Sequence, residues 1–361
     1  MRDKKLDIYR GLIMMYVVGV IHTLFWFPVS NHVLKSLFLF EMAVVFFITG
    51  ASYSLSSKKS YIKYLISRVP RVIVPYLIFG LFVIFIQYIA YILGTSITDS
   101  PISIFVYDTI HPLKKPGVFI PFITWHLWFM PVYLLLVPFI PPMFKLFESL
   151  KGIFKFIPLL FIAILVFYFE NTTLNIDFKS VIFYAFWIYT GFFYTKFKDV
   201  NISVVKNIAI SLILFIALVL IVKGDRYVLN MSTNKFPPNF AFLVFTMTAF
   251  SFLYMFRKVI LKFGDLPYIR NIVDIYSAYG FTLYLYQPFT YLLLQPIYLY
   301  LFNLTGYNFI LRCVLTLINI VAVILINIIF AKTFGRFENF RFKFNSSNIN
   351  MKNNMDMKKA S

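Results

Sequence analysis

Residues 6–22 read LDIYRGLIMMYVVGVIH. After Arg10 the stretch carries no charged side chain until it closes on His22. Crossing the hydrocarbon core of a bilayer takes roughly 20 apolar residues at about 1.5 Å of rise each. Extended to about residues 7–27, the stretch meets that length. It starts close to Met1 and has no small-residue cleavage site, so it reads as a retained first membrane span rather than a cleaved signal.

The remainder of the chain repeats the signal. Of 361 residues, 60% are hydrophobic and only 13% charged. One soluble core cannot hide that much apolar surface, so the composition excludes a soluble enzyme and a disordered chain. A single cysteine, Cys313, excludes a disulfide scaffold and a Cys-rich metal site. Ten apolar stretches have spanning length, at about 7–27, 36–56, 72–94, 125–144, 153–170, 180–196, 203–222, 237–256, 275–300 and 308–331. They are too long, and alternate too little, for barrel strands. The expected fold is all-α, a polytopic bundle of about ten transmembrane helices over residues 1–334. A polar, Asn- and Lys-rich tail follows from 335 to 361 and reads as disordered and cytoplasmic.

The net charge of +20 would suggest nucleic acid in a soluble protein. Here the basic residues lie between apolar runs, and no nucleic-acid partner is expected. Ten spans place both termini on one side. That side collects 25 of the 34 Lys and Arg, against 7 opposite, with Arg10 and Arg312 inside spans. The basic side is expected to be cytoplasmic. Residues 59–71, KSYIKYLISRVPR, form a basic amphipathic stretch expected at that interface before Pro75 opens the third span. The loop at about 95–124 is long enough for a lid or a re-entrant piece.

Ionisable groups inside spans are costly and usually face a cavity or a partner. Arg10, His22, Glu41, His126 and Arg312 are of this kind, with Gln87 and Gln287 as neutral counterparts. Helical rise gives their depth. His22 lies ~18 Å beyond Arg10 along the first span. Glu41 enters the second span from the same outer end, as His126 does the fourth and Arg312 the tenth. Four groups therefore share an outer layer, while Arg10 stands alone at the inner side. Snorkelling or an aromatic belt around Trp128 is the plainer reading for Arg10, Arg312 and His126. His22 and Glu41 resist it, because both need polar partners at that depth.

With these residues in place, LDIYRGLIMMYVVGVIH resembles the opening of the acyltransferase 3 family of membrane-bound O-acyltransferases. There a basic residue and a His mark the first span. FFITGASYSLSS (46–57), SRVPRVIVPY (67–76), WHLWFMPVYLL (125–135) and KFGDLPYIRNIVDIYSAYGFTLYLYQP (262–288) are similar to further family segments, in family order. The resemblance covers about residues 5–332.

Two departures stand out. The family has ten residues between the basic residue and the His, whereas eleven separate Arg10 from His22. In a regular α-helix that twelve-position step turns them about 120° apart. A one-residue π-bulge, with Gly19 as its candidate position, restores a common face. Gln287 stands where the family often has a His before proline.

The resemblance implies acyl transfer from a cytosolic acyl-CoA, acetyl-CoA in the simplest case, to a sugar hydroxyl at the outer face. His22 is the expected general base and Glu41 its orienting carboxylate. Arg10, Arg68 and Arg71 are expected to hold the CoA phosphates. His126, Trp128, Arg312 and Gln287 are the expected substrate-binding set. No resident cofactor or metal is expected. Expected partners are membrane lipid, acyl-CoA and a carbohydrate acceptor, with a homodimer or the glycan-synthesis machinery as candidate protein partners, at a bacterial plasma membrane. An exporter or flippase of polysaccharide or lipid-linked sugar is the alternative, although no inverted repeat is visible.

Overall fold

The computed structural model describes residues 3–27, 32–56, 60–92, 125–200, 202–224, 226–306 and 308–339. The expected outer loop at 95–124 lies outside them, as does the tail from residue 340 onward. Among the described residues the regular structure is helical, with no strand.

Helix α1 (Lys4–Met15) passes into a π-helical turn, Tyr16–Ile21, and resumes as α2 (His22–Trp26). A short α3 (His32–Ser36) leads to α4 (Glu41–Ser56), then α5 (Tyr61–Arg68) and α6 (Pro70–Ile92). The third span therefore opens at Pro70, and Pro75 sits inside α6. A 3₁₀ turn, Trp125–Trp128, opens α7 (Phe129–Leu136), followed by α8 (Ile140–Ser149), α9 (Ile157–Phe169) and α10 (Ile176–Phe192). Then come α11 (Tyr194–Phe197), α12 (Val204–Lys223), α13 (Met231–Lys235), α14 (Phe240–Met255), α15 (Arg257–Gly264), α16 (Pro267–Ala278), α17 (Gly280–Leu304) and α18 (Phe309–Phe334). Side chains start several of them: Asp3 accepts from the Leu6 N–H, Asn239 from Phe242 and Asn308 from Leu311.

Seven helices among the described residues are long and apolar enough to cross a membrane. They are Lys4–Trp26, Val33–Ser56, Tyr61–Ile86, His126–Ser149, Gly152–Phe169, Val204–Lys223 and Phe309–Phe337. An eighth arises if α14 and α15, bent by 66° at Phe256, form one span. Two of the ten expected stretches fall outside this set for identifiable reasons. Helix α10 has 17 residues and begins with Asp177 and Lys179. Helix α17 carries Gln287, Gln295, Pro288 and Pro296. Both bury most of one face against protein, which relaxes the demand for lipid-facing apolarity. By contrast α9, α12 and α18 turn Phe161, Ile213 and Leu317 outward, as lipid requires.

Apolar burial drives helix association weakly within lipid, so close backbone packing and hydrogen bonds carry more of it. Helices α4 and α10 meet through Gly50 and Gly191. A Cβ on Gly50 would stand 2.0 Å from the Ile188 carbonyl oxygen, and one on Gly191 2.2 Å from that of Phe47. Gly11 lets α1 approach the backbone of α16 in the same way. Phe46 and Tyr184 then stack across the α4–α10 seam, their centroids 4.3 Å apart.

The π turn has a clear hydrogen-bond signature. The His22 N–H bonds the Val17 carbonyl, one residue further back than an α-helix allows. That releases the Val18 carbonyl, and the Tyr291 hydroxyl of α17 donates to it. A released carbonyl without a partner is costly in a dry interior, so the bulge and Tyr291 belong together. Gly19 lies in the turn, tight against Ile324 of α18.

Polar contacts cluster at two ends of the bundle. At one end Lys4 pairs with Asp265, Lys5 with Asp199, and Lys198 with Asp3. At the other the Met231 N–H donates to Ser36, Lys235 pairs with Glu41, and Arg226 pairs with Glu170. We refer to these as the basic end and the opposite end.

Candidate active site

At the basic end the chain forms a cavity of about 360 Å³. Arg10 of α1, Arg68 of α5 and Arg71 of α6 all line it. The amphipathic stretch delivers the last two: α5 buries Tyr64 while exposing Tyr61 and Ile62, and its end turns Arg68 inward. Arg10 donates to Asp7 at 2.7 Å and to Ser52 at 2.8 Å. Arg10 thus does not stand alone, because two further arginines and Asp7 accompany it. Beyond the arginines the walls turn apolar through Ile13, Val17, Met42 and Phe129, and the cavity ends against Tyr284.

Behind Tyr284 lies a buried polar layer. Its ring centroid is 5.9 Å from that of His22 and 5.0 Å from that of His126. The two imidazoles are 6.4 Å apart. His22 Nδ1 and Gln287 Oε1 are separated by 2.6 Å. An amide oxygen only accepts, so the proton sits on Nδ1 and the lone pair of neutral His22 is on Nε2. Neither ring nitrogen of His126 makes a well-formed hydrogen bond among the described residues, although the Leu285 backbone lies nearby.

The orienting place expected for Glu41 is therefore held by Gln287. Glu41 Oε1 instead pairs with Lys235, both side chains being almost fully buried. Its Oε2 makes no hydrogen bond among the described residues. Trp128 belongs to the same corner, with the Lys235 ammonium 5.5 Å from its ring and Phe236 edge-on at 5.2 Å. Arg312 is not brought to this layer by any described contact. It donates to the Gly306 carbonyl and lies over Phe302, beside the α17–α18 turn. The layer thus unites His22, His126 and Gln287, with Glu41 and Trp128 gathered around Lys235.

Three residues outside the expected set shape the site: Tyr284, Lys235 and Glu338. Residues 335–339 continue α18 as a 3₁₀ turn, Gly335–Phe337, and pack on the bundle. The Glu338 carboxylate accepts from the N–H groups of Phe281 and Thr282 and from the Thr282 hydroxyl, at 3.3, 2.9 and 3.0 Å. It thereby caps α17, the helix that carries Tyr284 and Gln287. Burial pushes its carboxyl up to about 7, against the opposing pull of those hydrogen bonds and of Arg71. Its signal in the sequence is slight, one acid in a polar segment. Tyr284 is one of 25 tyrosines.

Fold and site together define a multi-pass helical membrane protein with a basic cavity leading to a buried histidine layer. A family model described as an acyltransferase domain, that of the acyltransferase 3 family, matches residues 3–332, nearly the whole chain. The chain belongs to that family and is a membrane acyltransferase. No curated protein and no solved structure matches it.

Proposed function

We propose that the protein is an O-acyltransferase that moves an acyl group, acetyl in the simplest case, from cytosolic acyl-CoA to a hydroxyl of a cell-surface polysaccharide or lipid-linked sugar. The observation that carries this reading is the cavity that runs from Arg10, Arg68 and Arg71 to Tyr284, whose ring packs on His22. Guanidinium groups grip phosphate by charge-assisted, often bidentate hydrogen bonds. The apolar walls beyond them suit the thin arm that ends in the thioester.

In this mechanism His22 Nε2 takes the proton from the sugar hydroxyl as its oxygen attacks the thioester carbonyl carbon. The tetrahedral adduct collapses, the C–S bond breaks, and the departing thiolate receives that proton from the imidazolium. Gln287 keeps the ring in the required tautomer throughout. The charge count, 25 basic residues against 7, supports a basic end in the cytosol, with ten spans and both termini inside. A bacterial plasma membrane is the compartment in which such a donor and such an acceptor face each other.

Calorimetric titration of the purified protein with acetyl-CoA tests the reading. Wild type should bind. Arg71→Ala, which removes one charged contact, should bind roughly 10-fold to 100-fold more weakly. Equal affinity in the two proteins, or no binding by wild type, would remove acyl-CoA as the donor held in this cavity. An impermeant thiol reagent labelling a cysteine at position 354 in intact cells would contradict the topology.

A further inference from the structure

Tyr284 occupies a position that the transfer reaction itself does not explain. Its ring lines the cavity, whereas neither imidazole does so among the described residues. The same ring packs on His22, on His126 and, at 5.9 Å, on Phe129. It is thus the wall between the space that reaches the arginines and the layer that holds the base. The wall is tethered: the Tyr284 hydroxyl donates to the backbone carbonyl of His126, its one hydrogen bond among the described residues. A phenylalanine would fill the same space without that tether. A fully apolar gap would be filled as well by leucine. The ring is also held at both ends of its helix segment, by Glu338 at Thr282 and by the Gln287–His22 contact.

Resting on the acyl-CoA reading above, we propose that Tyr284 is a gate: its ring separates the donor cavity from His22, and turns aside only when the thioester is to meet an acceptor. The chemistry gives the gate its purpose. Thioester hydrolysis competes with transfer to sugar, and a base in contact with a solvated cavity would promote it. In that side reaction a water oxygen attacks the thioester carbonyl carbon while His22 Nε2 accepts the water proton. The C–S bond breaks, and the thiolate takes the proton back. The products are the free carboxylic acid and CoA thiol. Tyr284 is a positioning residue in this scheme, since it controls which nucleophile shares space with the base.

The test uses full-length protein in detergent with acetyl-CoA and a glycan acceptor. Thiol release without acceptor reports hydrolysis, and acetyl on the glycan reports transfer. Tyr284→Phe keeps the ring and loses the tether, so the ratio of hydrolysis to transfer should rise about fivefold, the equivalent of ~1 kcal/mol for one hydrogen bond. Tyr284→Ala should raise it further. The double variant Tyr284→Ala/His22→Ala should lose the added hydrolysis. Should Tyr284→Ala not remain monodisperse, Tyr284→Leu and Tyr284→Phe decide on the same ratio. A merely structural Tyr284 would lower both rates together and leave the ratio unchanged, which overturns the gate while transfer by wild type upholds the donor reading. Wild type that neither binds nor turns over acetyl-CoA overturns both.

Discussion

The Gln287 amide oxygen lies 2.6 Å from Nδ1 of His22, joining the penultimate long helix to the first span. This contact selects the tautomer that leaves Nε2 as the base. Gln287→Leu keeps most of the volume and removes the acceptor. Turnover should fall roughly 10-fold to 100-fold, less than the ~10²–10⁴-fold expected for loss of the base itself, with donor affinity unchanged. Steady-state kinetics beside calorimetry separate the two quantities. An unchanged turnover would show that the amide orients nothing.

Tyr291 and the π turn should stand or fall together. Tyr291→Phe deprives the Val18 carbonyl of its donor. A buried acceptor left unpaired costs ~1–3 kcal/mol, so the thermal midpoint in detergent should drop. Deleting one residue within 16–21 should instead be tolerated, because it removes the residue that the bulge absorbs. Loss of folded protein on that deletion would argue that the bulge does more than correct the phase.

Some of this was legible in the sequence. The twelve-position step from Arg10 to His22 is out of phase for an α-helix, and the π turn is the physical correction. Arg68 and Arg71 were legible because a basic, amphipathic segment must lie at an interface. Glu41 was not: helical rise fixes how deep a side chain sits, not which way around the helix it points, and Lys235 on distant α13 claims it. Glu338 was hidden because a polar tail composition says nothing of one acid docking on a helix N-terminus. The count of ten spans exceeds the seven or eight helices that meet length and apolarity, since α10 and α17 lean on protein rather than lipid.

The Glu41–Lys235 pair should behave as a buried ion pair whose halves depend on each other. Lys235→Met alone leaves a buried carboxylate unpaired and should cost ~3–5 kcal/mol. The double variant Glu41→Gln/Lys235→Met should recover most of it. Thermal unfolding of wild type, Glu41→Gln, Lys235→Met and the double variant measures the coupling. Additive losses would mean that the two side chains do not share their stabilisation.

Glu338 predicts a pH dependence with a definite sign. Its carboxyl is raised from an ordinary value of 4.5 to about 7. Between those values the folded protein holds a proton that the unfolded chain releases, so its contribution falls as pH rises through this window. Relative to wild type, Glu338→Gln should therefore gain stability from about pH 5 to pH 7.5 and show no further change above. A thermal-shift series across that range is the check, and a difference that is flat with pH would contradict it.

The most direct measurement is single-turnover acetyl transfer from bound acetyl-CoA to a glycan acceptor, comparing wild type with His22→Ala. With the base gone, the rate should fall ~10²–10⁴-fold while acetyl-CoA affinity and the amount of folded protein stay near wild type. Transfer by His22→Ala at the wild-type rate would contradict the account and shift the base to His126.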